Sequence, residues 1–360
     1  MISINSNLKV LILWTHISGY INACLKKLSE DGCEIFIVAY NPDASAPFST
    51  DLMEWIPETR RIFIKEGDNL NQENLYLIKN YDPDILVCAG WSNYSYIKLA
   101  KNISKKCFKV ITFDTQYSST LRQMFGRIWF KISLLKIFKY AFVPGDRQLM
   151  TALYFGFDNK NILMGSYAPD NLSAKFPDFY SIARNKKFIF VGRLVLEKGV
   201  ENLIEAYVRY REKSDNPWPL SIAGVGPLSS KLNVEGVNLL GFLAPDALFQ
   251  EMSTSGCLIA PSLFEPWGLQ ISEGTSHGLP IIATTACGAS VHLVRNNFNG
   301  YLVAPGDSNM LCQAMLAIST GDDLEEFSRN SYSLSKQYTP SIWSKSILQT
   351  YFRFKNSSEL

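Results

Sequence analysis

The residues best able to do chemistry fall together in Glu265-Pro-Trp-Gly-Leu-Gln-Ile-Ser-Glu273. Two carboxylates flank Gly268 and Leu269. An apolar run, Cys257-Leu-Ile-Ala-Pro261, comes before them, and an amphipathic run from Leu269 to Gly278 follows. That order predicts strand, short loop, helix. Glu265 then stands on the loop and Glu273 about two turns into the helix, at ~3.6 residues per turn. The first turn of a helix carries N–H groups without partners, so it accepts an anion, and a glycine there lets a ligand approach the backbone. Ionised carboxylates accept hydrogen bonds from neutral hydroxyls. An anion site between two hydroxyl-binding groups fits a nucleotide sugar, a diphosphate with ribose at one end and a hexose at the other. Two glutamates so spaced also occur on ordinary solvated helices, so the pair takes its meaning from what surrounds it.

A second phosphate-like element lies upstream. Lys187-Phe-Ile-Phe-Val-Gly-Arg-Leu194 reads as a buried strand ending in a glycine turn, and Glu197-Lys-Gly199 leads into a helical pattern from Val200 to Tyr210. Gly192, Arg193 and Lys198 therefore fall on a strand-to-helix connection, where open α/β sheets collect their ligands. Arginine offers phosphate a planar fork of donors and lysine a compact charge. Leu220-Ser-Ile-Ala-Gly-Val-Gly226 and Asn238-Leu-Leu-Gly-Phe242 are two further short runs with glycine turns.

Taken in order, Gly192-Arg-Leu, Glu197-Lys-Gly199, Ile222-Ala-Gly-Val-Gly-Pro227, Leu240-Gly-Phe242, Ala260-Pro-Ser262, Glu265, Glu273, Gly278-Leu-Pro280, Cys287-Gly-Ala289 and Asn299-Gly-Tyr-Leu-Val303 form a dense set of landmarks from Phe188 to Pro305. This stretch closely resembles the C-terminal domain of the retaining GT-B glycosyltransferases of the GT4 family (glycosyl transferases group 1). The resemblance is thinner over the first half.

The resemblance implies a GT-B fold, two Rossmann-like doubly wound domains facing an interdomain cleft, and it implies roles. Arg193 and Lys198 match the basic pair that holds the donor diphosphate and stabilises the leaving group, help of the kind that often dominates catalysis. Glu273 matches the glutamate on the ribose and Glu265 the one facing the donor sugar. Gly268 and Leu269 match backbone amides near sugar and phosphate, and Gly241 and Phe242 the turn beside the nucleobase. The implied reaction moves a hexose, UDP-linked by preference, to a hydroxyl of a glycan or glycolipid with retained configuration. Bacterial surface polysaccharide synthesis (lipopolysaccharide or capsule) is the implied setting. The diphosphate itself takes the acceptor proton, and neither metal nor cofactor is expected. Two departures stand out: Trp267 where the family often has Phe, and Gly288-Ala289 with His292 where it usually has Gly-Gly and a following Glu. His292 is either a partly buried histidine or a group near the donor. A phosphorylase or nucleotide-sugar epimerase on the same fold, or a non-catalytic subunit, are the rival readings. Retention of Arg193, Lys198, Glu265 and Glu273 together weighs against the last.

Composition agrees with a two-domain globular protein. The 360 residues are 47% hydrophobic and 19% charged, with a formal net charge of +2, which by itself predicts no polyanionic partner. The seven cysteines (24, 33, 88, 107, 257, 287 and 312) form no Cys-x-x-Cys, which favours a reducing, cytoplasmic setting over a zinc site or disulfide framework. No leader-like N-terminus is legible, and no run reaches the ~18 apolar residues that span a bilayer.

The first half alternates strands (Lys9–Trp14, Glu34–Ala39, Arg61–Ile64, Asp84–Ala89, Lys109–Phe113, Tyr140–Val143) with helices (Ile21–Leu28, Asn71–Asn80), which predicts a doubly wound parallel sheet. Residues 1–168 are expected to form an acceptor-binding domain and 169–339 the donor domain, with a helix over about 340–360 crossing back to the first. Loops at the strand ends supply acceptor-side candidates. Gly19, in Thr15-His-Ile-Ser-Gly19, matches the family's glycine loop near the donor phosphate. His16 faces the cleft or is incidental, and Trp91 stacks on a sugar or plugs the surface. Asp114 follows the fifth strand, near where relatives place a histidine or an acid close to the reacting sugar. Asp82-Pro-Asp84 imitates a metal-binding Asp-x-Asp, but it precedes a strand, where an acid simply starts the element. From Thr115 to Gly145 there is no acid, and Arg122, Arg127, Lys131, Lys136 and Lys139 interleave with apolar and aromatic residues. Residues 122–139 are either a core helix with a cationic outer face or a surface that meets an anionic membrane. No nucleic-acid recognition motif is present.

Overall fold

A computed structural model describes residues 7–42, 50–117, 120–169 and 176–358. The chain divides into two compact units, Met1–Asp170 with Tyr338–Leu360, and Asn171–Gln337.

Among the described residues, the first unit is built on a seven-stranded parallel sheet. Its strands are β1 (Leu8–Leu13), β2 (Cys33–Tyr40), β3 (Arg61–Ile64), β4 (Ile85–Ala89), β5 (Phe108–Thr112), β6 (Tyr140–Val143) and β7 (Ile162–Met164), in the order β3-β2-β1-β4-β5-β6-β7. Parallel strands covered on both faces read as continuous apolar runs. Alternate residues duly enter two separate cores: Val10, Ile12, Ile35, Ile37, Ile85 and Val87 on one face, and Leu11, Leu13, Phe36, Val38, Leu86 and Cys88 on the other. The helix Pro340–Ser358 completes the first of these cores with Trp343, Ile347, Leu348 and Tyr351. It is pinned there by Trp343 Nε1 donating to the Ser166 carbonyl at 3.1 Å and Ser344 Oγ donating to Asp31 Oδ2 at 2.7 Å.

Local rules explain the elements. Asn71 caps the helix Gln72–Tyr81 by accepting the Asn74 N–H at 2.8 Å. Asp82 ends that helix in a left-handed conformation, and Asp84 Oδ2 accepts the Lys9 N–H at 3.0 Å, so this acidic pair terminates a helix and ties down a strand. Lys109 points its ammonium into the interior, where it caps the helix Tyr94–Asn102 through the Ala100 and Ile103 carbonyls at 2.7 and 2.8 Å. Burial lowers its pKa from the usual lysine value.

The second unit repeats the plan with β8 (Phe188–Val191), β9 (Leu220–Ala223), β10 (Val237–Gly241), β11 (Cys257–Ala260), β12 (Ile281–Thr284) and β13 (Gly300–Val303), in the order β10-β9-β8-β11-β12-β13. In each sheet the order reverses between two neighbouring strands, β1 and β4 in the first and β8 and β11 in the second. Such switch points leave a crevice at the carboxyl ends of the strands, where doubly wound sheets bind ligands.

Candidate active site

The loops after β8 and β11 flank the second switch point and carry most of the residues singled out by type. After β8 the chain runs through Gly192 and Arg193 to a short turn, Leu196–Lys198, and then Gly199, which opens the helix Val200–Lys213. Gly199 has a left-handed backbone at φ +67°, and a Cβ there would lie 2.0 Å from the Pro261 carbonyl oxygen. Only glycine permits that approach. The Leu263 N–H adds a bond to the Glu197 carbonyl at 2.8 Å, so the Lys198 turn is clamped to the end of β11.

The clamp brings Lys198 Nζ onto Glu265 Oε2 in an ion pair whose side chains are only 16% and 11% exposed. Glu265 is held from behind: its carbonyl accepts the Gly288 N–H at 3.1 Å, and the Trp267 carbonyl accepts the Ala289 N–H at 2.7 Å. The Cys287-Gly-Ala289 loop is thus the floor under the Glu265 loop. Cys287 is fully buried there, and burial raises its thiol pKa, which keeps it neutral. Trp267 is buried too, and its indole N–H donates to Ser272 Oγ at 3.1 Å, which satisfies the polar atom that Phe would lack. His292, in the short helix Ser290–Leu293, packs its ring 5.9 Å from that of Trp267.

Gly268 caps the helix Leu269–Ser276. Glu273 falls early in the second turn of that helix; the helix starts at Leu269 as expected, but at ~3.6 residues per turn the step from Leu269 to Glu273 is just over one turn and not two. Arg193 is exposed and makes no ion pair among the described residues. Gly192 bonds to β9 (its N–H to the Ala223 carbonyl, 3.0 Å), and Gly224 bonds to Gly241 (2.7 Å), which links the ends of β8, β9 and β10. Phe242, just past β10, presents a half-exposed ring. The structure therefore joins Lys198 and Glu265 directly, sets Gly268, Leu269 and Glu273 on the adjoining helix, and leaves Arg193, Gly241 and Phe242 along the same strand-end edge.

In the first unit, His16, Gly19 and Trp91 follow β1 and β4, the strands of its switch point. His16 packs edge-on to Tyr40 at 5.5 Å. Gly19 opens the helix Gly19–Glu30. Trp91 is half-buried in a nest of rings, 5.3 Å from Phe113, 4.8 Å from Phe130 and 5.7 Å from Phe155, so its indole helps to pack the unit. Asp114 follows β5; its Oδ2 accepts the Tyr167 hydroxyl at 3.2 Å and its carbonyl accepts Gln148 Nε2 at 3.0 Å. Sequence reading did not find Tyr167, Tyr20 or Gln148 as neighbours of Asp114. They come from remote parts of the chain, and the only local hint is that Tyr20 adjoins Gly19.

Two doubly wound parallel sheets, each with candidate residues at its strand carboxyl ends, define the class: this is the GT-B architecture. Solved structures agree over almost the whole chain. The Anabaena protein HepE, solved with UDP and glucose, aligns with a TM-score of 0.70 and 17% identity over 95% of this chain and 99% of that one. A lipopolysaccharide outer core galactosyltransferase in its apo form aligns with a TM-score of 0.69 and 17% identity over 97% and 100%. At such identities the likeness concerns the fold. Residues 175–333, which fall within the second unit, match the family model described as Glycosyl transferases group 1. An uncharacterised glycosyltransferase of Methanocaldococcus jannaschii is 30% identical over 128 residues, which span 33% of this chain and 32% of that protein, about a third of each.

Proposed function

We propose that the chain is a retaining GT4-type hexosyltransferase. It moves a hexose from a nucleoside diphosphate sugar, UDP-linked by preference, to a hydroxyl of a glycan or lipid-linked glycan in the synthesis of a bacterial surface polysaccharide. The observation that carries this reading is the Lys198–Glu265 pair, clamped at the head of the helix Leu269–Ser276 within the residues that match the glycosyltransferase family model. Lys198, Arg193 and the free N–H groups of that helix meet the two phosphate charges, and Glu273 accepts the ribose hydroxyls. Glu265 faces the sugar. Lys198, Arg193 and the helix N–H groups supply the positive charge that a departing diphosphate needs, so the reading calls for no metal or cofactor. The UDP-bound relative HepE and the galactosyltransferase named above support the choice of donor and setting. His16, Trp91 and Asp114 are the acceptor-side candidates.

The test is release of nucleotide from a panel of UDP-, GDP- and ADP-sugars. Slow release from one donor, lost in Lys198→Ala and in Glu273→Ala, is expected. No release and no thermal shift with any donor would remove the reading.

Peripheral docking on the inner face of the cell membrane belongs to the same proposal. No helix among the described residues is long and apolar enough to cross a membrane. The helix Leu121–Ile132 buries Phe130 but exposes Met124, Phe125, Ile128, Trp129 and Ile132, with Phe125 71% exposed. Arg127, Lys131, Lys136 and Lys139 lie exposed on and after it, while the Arg122 side chain is outside the described residues. An apolar face ringed by cations suits anionic lipid headgroups. Co-sedimentation with anionic but not neutral vesicles, weakened by Phe125→Ser with Trp129→Ser, is the expected outcome. Equal absence of binding to both vesicle types would refute it.

A further inference from the structure

Three loops at the carboxyl ends of the first unit's sheet meet in a chain of hydrogen bonds. It starts at Trp14, the residue after β1, whose indole N–H bonds to the Tyr20 hydroxyl. Tyr20, in the first turn of Gly19–Glu30, bonds in turn to the hydroxyl of Tyr167, and the two rings lie 5.0 Å apart. Tyr167, just after β7, reaches Oδ2 of Asp114 at 3.2 Å. The chemistry of the two ends sets the direction. An indole nitrogen only donates, an ionised carboxylate only accepts, and each phenol has one proton to give. The order must therefore be Trp14 N–H to Tyr20, Tyr20 O–H to Tyr167, and Tyr167 O–H to Asp114. Every donor points toward the carboxylate. Burial, first of all, and the nearby charge of Asp114 hold both phenols above their usual range, so both keep their protons at neutral pH. Gln148 fixes the Asp114 backbone from the other side at 3.0 Å.

Such a chain orients a carboxylate and stabilises its ionised form, which makes it a poor base. A carboxylate has about four acceptor positions, so it can hold the Tyr167 hydroxyl and accept from a ligand hydroxyl as well. We propose that Tyr167, backed by Tyr20, is a positioning residue that holds Asp114 ionised and aimed to accept a hydrogen bond from a hydroxyl of the sugar-containing acceptor. This rests on the glycosyltransferase reading. Asp114 then binds and orients the acceptor hydroxyl and leaves its proton for the departing phosphate.

Tyr167→Phe removes the last link of the chain, and Tyr20→Phe the one before it. Tyr81→Phe is the control: it deletes another buried hydroxyl of the same unit, bonded to the Glu34 carbonyl at 2.6 Å. The first readout, an NMR titration of the Asp114 carboxyl carbon, needs no substrate. Its midpoint is expected to rise in Tyr167→Phe, to rise less in Tyr20→Phe and to stay put in Tyr81→Phe. The second readout is transfer kinetics. Loss of a hydrogen bond to a charged group is expected to raise the acceptor KM about tenfold, with donor KM and kcat little changed. An unmoved Asp114 titration in both Tyr167→Phe and Tyr20→Phe overturns the chain, and an unchanged acceptor KM overturns the positioning role. If the wild-type protein transfers no sugar from any donor, the glycosyltransferase reading fails and the acceptor role with it, while the titration still decides the chain.

Discussion

Gly199 and Gly241 form a matched pair for testing how the donor-side loops are held. Both have the same left-handed backbone, φ +67° and +68°, but their surroundings differ. A Cβ on Gly199 would meet the Pro261 carbonyl oxygen at 2.0 Å, whereas a Cβ on Gly241 would meet nothing within 4 Å. Alanine in this conformation costs about 1–2 kcal/mol wherever it is placed. Gly199→Ala adds an overlap with backbone, which cannot swing aside as a side chain can. Overpacking of that kind costs about 1–3 kcal/mol more. In a unit of this size 1 kcal/mol moves Tm by about 2–4 °C. Gly241→Ala is therefore expected to melt about 2–8 °C below the wild type, and Gly199→Ala about 2–12 °C below that, by scanning calorimetry. The backbone shift that relieves the overlap also separates the Lys198 turn from the loop of Glu265, so Gly199→Ala should lose nucleotide release as well. Equal melting of the two variants would refute the argument that a close approach of two loops builds the site.

Two further perturbations probe buried polar groups. Lys109→Met leaves the Ala100 and Ile103 carbonyls without their ammonium and is expected to cost about 1–3 kcal/mol; melting indistinguishable from wild type would show that the lysine is dispensable there. His277 follows the helix Leu269–Ser276, with Nδ1 2.8 Å from the Glu273 carbonyl and Nε2 buried without a partner among the described residues. Burial lowers its pKa from the usual 6.5. The folded state therefore binds this proton less readily than the unfolded chain. Stability from this site is full above about pH 6.5 and is lost as pH falls below it, by at most about 1.4 kcal/mol per pH unit. His277→Gln is expected to flatten the fall in Tm between pH 7 and pH 5.5, and a fall as steep as in the wild type would contradict the assignment.

Much of the fold was legible because it rests on local signals. Apolar runs marked the strands from β1 to β6 to within a residue or two, and Asn71 and Pro340 sat where the helices Gln72–Tyr81 and Pro340–Ser358 begin. The three-residue strand β7 was missed, since Ile162-Leu-Met164 is too short to show a period and is a strand only because β6 pairs with it. The segment after Thr115 did not show in advance which of its apolar residues enter the core. Phe130, Leu134 and Phe138, at fourfold spacing, went inside, while Phe125, Ile128, Trp129 and Ile132 stayed outside. Composition counts apolar residues; it does not say how many of them one core face can take.

The sequence by itself determined the kind of site: glycine turns after apolar strands, cations on one turn, carboxylates around a helix start. Those are matters of backbone freedom, charge and period, and each acts over a few residues. Tertiary structure decided which groups meet. Only the packing of Gly199 on the end of β11 puts Lys198 against Glu265. Only the sheet order that sets β1, β5 and β7 in one layer lets Trp14, Tyr20 and Tyr167 converge on Asp114. A hydrogen bond needs its partners within about 3 Å, and separation along the chain carries no record of that distance.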